Sequence, residues 1–408
     1  MFNGKILENF ARLVLKIGVN LQNGQGLEIA CPVEKKEVAE TFAEVAYSLG
    51  AKIVNVRWED QVVNKINYLN AQINTLTDIP KWFVDSKNYL TEKGFCYVAI
   101  SADDPSAYKE VSSDKMGEIA KAKSKALKKF SDCIMSNGIR WCVVSVPTLE
   151  WAKQVFPNSN SPEEELSLAI EKAMRLDTKN PTEEWEKHIK KLENRAEFLN
   201  FSRYEYLHFK SSNGTDLKVG LAENHVWMSA KEKAKDGVSF VANMPTEEVF
   251  TAPHKDKVEG VVYSTMPLCE NGQIVDKFKL VFKKGKVVDF SAEKGYEALK
   301  NILNIDSGIK RIGEVALIGK NSPIAKSGIL FYNTLFDENA SCHLALGKAY
   351  PTTISNGDAL SVSELKKLGA NDSVDHVDFM IGSEDLIVTG IKKDKTEQVI
   401  FKDGDWVF

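Results

Sequence analysis

Cysteine is sparse and unpatterned: six residues, at 31, 96, 133, 142, 269 and 342, with no CxxC pair among them. That excludes a disulfide-built scaffold and a thiolate zinc ribbon, and reads as reduced thiols in a cytoplasmic protein. Long apolar runs are missing too. None approaches the roughly 18 residues that span a bilayer, so no membrane partner is expected. Lys5, Glu8, Arg12 and Lys16 break up the stretch where a secretory leader would need an unbroken apolar core. Neither sign of charge is in excess, with 53 Lys and Arg against 57 Asp and Glu, net −4. A nucleic-acid partner, which needs a basic excess on some face, is not expected. No GxGxxG and no GxxxxGK[ST] follows any strand signal, so nucleotide phosphates have no cradle. Gly24-Gln25-Gly26 precedes a strand, the wrong side for a phosphate loop. What is present is an ordinary folding composition, 43% apolar and 27% charged over 408 residues. At roughly 100–200 residues per domain this suggests two domains, at most three, and a core that needs no metal or disulfide to hold it.

The N-terminal part alternates helix and strand signals. Ile6, Phe10, Leu13, Val14 and Ile17 fall at helical spacing, predicting an amphipathic helix over 4–18. Residues 27–31 read as a strand, and Val38, Ala39, Phe42, Val45, Ala46 and Leu49 as a helix stopped by Gly50. Strands at 52–58, 95–101 and 139–146 follow, the last two separated by a lysine-rich helix near 116–130 whose charge is that of a solvated face. This alternation implies βαβ units, hence a doubly wound, mostly parallel α/β domain. A charged helical connector spans 159–200. In it Asn180-Pro181 marks a helix start, with Glu183 and Glu184 in the positive first turn. A domain boundary is expected near 200, giving domains 1–200 and 201–408.

Beyond it the texture is that of an α+β domain rich in antiparallel sheet. Strands are expected at 204–209 and 216–221 around Asn213-Gly214, a type I′ hairpin signal. Others fall at 258–264, 273–282 and 286–290, with turns at Asn271-Gly272 and Lys284-Gly285. A helix near 292–303, a strand at 313–318 and a terminal hairpin around Asp403-Gly404 complete the pattern.

Histidine is as scarce as cysteine: six, at 188, 208, 225, 254, 343 and 376. His188 reads as a surface residue of the connector and His208 as a packed strand residue; His225 is ambiguous. In His376-Val377-Asp378 an extended chain turns imidazole and carboxylate to the same side, half of a site for a cation such as zinc, which takes N and O ligands near about 2.0–2.2 Å. In Glu338–His343 the two residues, if helical, lie about 140° apart around the axis; they share a site only if Glu338 precedes a helix start at Asn339 or Ser341. Pro245 and Pro253 bracket an extended piece in which Glu247 and Glu248 point to opposite faces, one inward and one solvated. Glu314 begins an otherwise apolar strand, and an ionised carboxylate there must be paired, hydrogen-bonded or metal-bound. Jointly these segments offer four carboxylates and two imidazoles, which suits a two-metal hydrolytic site.

The segments NMPTEEVFTAPH, GEVAL, NTLFDENASCHLALGKAY and DHVDFMIG resemble the thermophilic metalloaminopeptidases, the family of aminopeptidases T and S. The resemblance covers essentially the whole chain, in order and interval. It implies metal ligands Glu248, Glu314, Glu338, His343, His376 and Asp378, and a tyrosine, Tyr350, at the metal centre. It also implies two divalent ions per chain (zinc, cobalt, manganese or magnesium), short peptide substrates with a free N-terminus, and a homodimer formed largely through the C-terminal half. Glu314 is the candidate bridge between the ions, Tyr350 the candidate oxyanion donor, and Glu247 a candidate base or ammonium partner. Two other readings stay open: a metallohydrolase of another amide or ester class, and an α/β ligand-binding protein with a vestigial metal site.

Overall fold

The computed structural model describes residues 4–102, 104, 107–270 and 273–408. They divide into two compact units, Met1–His188 with Lys231–Pro245, and Ile189–Ala230 with Thr246–Phe408.

The first unit is built on four parallel strands: β1 (Gly26–Pro32), β2 (Ile53–Glu59), β3 (Cys96–Ser101) and β4 (Trp141–Ser145). Their order is β2-β1-β3-β4, all pairs parallel, which is the doubly wound arrangement the helix–strand alternation implies. β1 is buried almost throughout because it is flanked by strands and covered on both faces. The helix Gly4–Leu13, prolonged by a wider π turn over Val14–Gly18, packs Phe10 edge-on against Phe42 of the helix Lys36–Ser48. Segment 231–245, which holds a small ribbon of β7 (Glu232–Lys233) and β8 (Ser239–Phe240), returns to this unit because its backbone adds to β4. Val143 donates to Ala242 O, and Met244 donates to Val143 O. Where one crossing near residue 200 was expected, the chain crosses between units three times.

The second unit is antiparallel. Among the described residues nine strands form one sheet: β5 (Tyr206–Lys210), β6 (Asp216–Leu221), β10 (Pro253–Tyr263), β11 (Leu268–Glu270), β12 (Gln273–Lys283), β13 (Lys286–Lys294), β17 (Ile387–Ile391), β18 (Glu397–Lys402) and β19 (Asp405–Trp406). Four more make the sheet that carries the site: β9 (Val249–Thr251), β14 (Ile312–Leu317), β15 (His343–Gly347) and β16 (His376–Met380), in the order β16-β15-β14-β9. Phe278 of β12 meets Phe379 of β16 with ring centroids 5.6 Å apart, so the two sheets share an apolar layer.

Several local expectations need correcting. The β5–β6 loop is not a two-residue type I′ turn, since only Gly214 has positive φ. Ser211–Thr215 form a five-residue loop, and Asn213 Oδ1 takes the Thr215 N–H instead of its backbone turning left-handed. The true type I′ signature is at Lys284-Gly285, both at positive φ. Strand β13 runs on to Lys294, so the following helix is only Tyr296–Ile302. The turn expected at Asn271-Gly272 lies outside the described residues. No helix among those described is long and apolar enough to cross a membrane.

Candidate metal centre

Strand register brings the charged residues together. Across the four-stranded sheet Glu314 lies opposite Ala345, and Ala345 opposite Asp378. Directly opposed residues of an antiparallel pair share a face, and so do residues two apart on one strand. His343, two before Ala345, and His376, two before Asp378, therefore join that face. Phe250 lies opposite Ala316 in the same register, which turns Glu248, two residues earlier, the same way. Val377 and Phe379 alternate onto the opposite, buried face.

The result is a compact cluster. His343 Nε2 lies 3.4 Å from Glu248 Oε2, 3.5 Å from Glu314 Oε1 and 3.9 Å from Asp378 Oδ1. His376 Nε2 lies 3.3 Å from Asp378 Oδ1 and 3.9 Å from Glu314 Oε2. Two groups are close enough to share an ion each, Glu248–Glu314–His343 and Glu314–His376–Asp378, and Glu314 belongs to both. Each imidazole is oriented through its other nitrogen: His376 Nδ1 donates to Lys348 O at 2.7 Å, and His343 Nδ1 faces Ser341 O at 3.4 Å. Such backing bonds are usual behind metal-binding histidines. Gly347, which closes β15 opposite His376, sits at φ +99°, and a side chain there would strike Asp375 O.

The electrostatics fit a cation. Glu248 Oε2, Glu314 Oε2 and Asp378 Oδ1 are buried without a hydrogen-bond partner, a costly state for carboxylate oxygens unless a positive charge faces them. Burial alone would depress both imidazoles, but the surrounding carboxylates outweigh it and raise each to about 10. Burial pushes the Glu248 carboxyl up against the pull of His343. Asp378 goes the other way: burial is overcome by His376 and then His343, and its pKa falls. A divalent cation here would bring the countercharge that these buried carboxylates call for.

Glu338 sits in a 3-10 turn, Glu338–Ala340, and His343 opens strand β15. The helical reading of 338–343 is thus replaced by turn and strand. Burial and the nearby charges of Glu248 and Asp378 hold the Glu338 carboxyl well above its usual range. Tyr350 is the extended residue before a 3-10 turn, Pro351–Thr353. Its ring lies 4.9 Å from that of His376, and burial among the carboxylates raises its phenol well above the usual value. Glu247 is buried rather than solvated, its N–H bonded to Asn339 Oδ1 at 2.8 Å. His208 pairs with Asp216 at 2.6 Å, and half-buried His188 stacks edge-on against Trp185 beside Arg175. His225 bonds Ala222 O, and His254 accepts from Asp256 N.

Sequence reasoning missed Glu270, Asp337 and Asn339. Glu270, at the end of β11, is raised to about 7 by burial and by the charges of Asp375 and Asp378. Buried Asp337 accepts the Phe331 and Asn333 N–H groups at 2.7 and 2.9 Å. For Asp337 and Asn339 the only signal was adjacency to Glu338, and Glu270 had none.

Along its whole length the chain is similar to proteins named as aminopeptidases. Aminopeptidase 2 of Geobacillus stearothermophilus is 42% identical over 406 residues, 99% of this chain and 98% of that protein. Aminopeptidase PepS of Streptococcus thermophilus is 41% identical over 404 residues, 98% of each. The solved structure of wild-type AmpT from Thermus thermophilus has a TM-score of 0.93 at 37% identity, covering 99% of both chains. The chain is thus one of the metalloproteases. It belongs to the thermophilic metalloprotease family M29, whose model matches residues 3–406.

Proposed function

We propose that the protein is a two-metal aminopeptidase, with Glu248, Glu314, Glu338, His343, His376 and Asp378 as the metal ligands. The observation that carries this reading is Glu314, whose Oε1 faces His343 and whose Oε2 faces His376. A carboxylate presented to two imidazoles at once is suited to bridge two ions. Charge supports the same count: the four carboxylates balance two divalent cations when both imidazoles are neutral. Imidazole nitrogens favour zinc, cobalt or manganese over calcium, with magnesium the oxygen-preferring alternative. Bound ions of this kind lower the pKa of water and polarise the scissile carbonyl.

The chain's own residues do the rest. The Tyr350 phenol, held protonated by its surroundings, donates a hydrogen bond to the developing oxyanion. Glu270, raised by burial and by the charges of Asp375 and Asp378, is a further carboxylate near the ligand set, suited to an α-ammonium or to moving a proton. The relatives' names support peptides with a free amino terminus as the substrate class. The homodimer rests on the family resemblance, and a cytoplasmic setting is consistent with six free cysteines.

The test is hydrolysis of an aminoacyl p-nitroanilide before and after chelation, with an N-acetylated twin alongside. Activity that needs metal and a free amine is expected. Comparable cleavage of both substrates would make the protein a general amidase or endopeptidase.

A further inference from the structure

Asn339 has no solvent exposure and lies between two segments that bring separate carboxylates to the centre. Its Oδ1 accepts the Glu247 N–H at 2.8 Å. Its Nδ2 donates to Leu335 O at 3.1 Å and to Glu338 Oε1 at 3.4 Å. A carboxamide suits this place because one end only accepts and the other only donates. Aspartate would keep the bond from Glu247 but set a second oxygen against the Leu335 carbonyl and the Glu338 carboxylate. Alanine would strand buried polar groups on both sides. The neighbouring Asp337 fixes the same turn from the other direction, through the N–H groups of Phe331 and Asn333. Glu338 thus has a turn pinned behind it, while Glu248 follows directly on the residue whose N–H Asn339 holds.

We propose that Asn339 is a positioning residue that sets Glu248 and Glu338 relative to each other and so tunes the affinity of the centre for metal. This rests on the reading of those two glutamates as ligands. Groups that orient ligands from behind typically change metal affinity about 10–100-fold when replaced.

The experiment measures zinc affinity of the full-length protein by competition with a chromogenic chelator, together with melting of the metal-free form. Asn339→Asp, isosteric and able to keep the Glu247 bond, is expected to fold with a lowered metal-free melting temperature, from the oxygen it sets against Leu335 O and Glu338, and to weaken zinc binding about 10–100-fold. Asn339→Ala should weaken it at least as much and also lower the melting temperature. If Ala does not fold, the Asp variant decides. Glu338→Gln, made in parallel, must lose zinc affinity for the ligand reading to stand. Loss in Glu338→Gln with wild-type binding in Asn339→Asp overturns the positioning role alone. Wild-type binding in Glu338→Gln overturns the ligand reading and the proposal with it. A fall in metal-free melting with unchanged affinity of the folded Asn339→Asp protein makes the residue structural and also overturns the proposal.

Discussion

Glu314 and Asp378 stand two strands apart in one transverse row of the four-stranded sheet, each in register with the small Ala345 between them. Two carboxylates facing the same way across a methyl group leave room for ions that a larger side chain would take. Ala345 has no exposed surface, so any added atoms must enter the cluster or the packing around it.

Ala345→Val should therefore fold but bind less metal. Overpacking costs typically about 1–3 kcal/mol, so melting falls by several degrees while metal per chain, measured by mass spectrometry, falls much further. Full metal content in the folded variant would show that the row does not frame the ions.

Glu314→Gln, His376→Ala and Asp378→Asn should each lower kcat/KM by about a thousandfold or more, roughly 4 kcal/mol at the transition state. Circular dichroism should be unchanged, because a core of this size does not depend on the metal. His188→Ala should leave turnover near wild type, with only a modest loss of stability from its contacts with Trp185 and Arg175. Wild-type turnover in Asp378→Asn would remove that residue from the centre.

Tyr350→Phe removes a hydroxyl while keeping the ring beside His376. If the phenol serves the oxyanion, kcat should drop about 100–1,000-fold with KM and metal content little altered. A loss of metal instead would make Tyr350 a ligand or a support for one.

Asp306 anchors the loop that leads into β16. Its carboxylate accepts from Gly308 N, Ile309 N, the Ser373 hydroxyl and Val374 N. Burial works against the charge, but these donors outweigh it and lower the pKa. A depressed carboxylate contributes stability that is present above its unfolded value of about 3.9 and is lost as pH falls through the folded one. Asp306→Ala should thus be less stable than wild type near neutrality. In denaturant titrations the gap should narrow below about pH 4. A gap that stays constant down to pH 2 would contradict the charge-based account.

Much of this architecture can be read from the residues. The N-terminal alternation of helical and strand periods carries the parallel sheet, and the later short strands carry the antiparallel one. His376 and Asp378 share a face because period-2 spacing is local. Register is not local: nothing along the chain says that Ala345 falls between Glu314 and Asp378, or that β9 turns Glu248 toward them. The conformation of 338–343 stays open in the sequence because turn and helix differ in hydrogen bonding, not in composition; it is a 3-10 turn followed by a strand. Glu247 was half-assigned to solvent because alternation within one strand ignores what covers its outer face. The return of 231–245 to the first unit is made by backbone pairing with β4, which leaves no side-chain pattern. Asn339 escaped because a buried amide between two polar segments has no periodicity at all.

The central claim is two ions held around a shared Glu314, and a metal titration tests it most directly. Chelated protein, reconstituted stepwise with zinc, should reach its activity plateau at two equivalents per chain, and Glu314→Gln should bind fewer without plateau activity. A wild-type plateau at one equivalent, or full activity with no metal added back, would contradict the account.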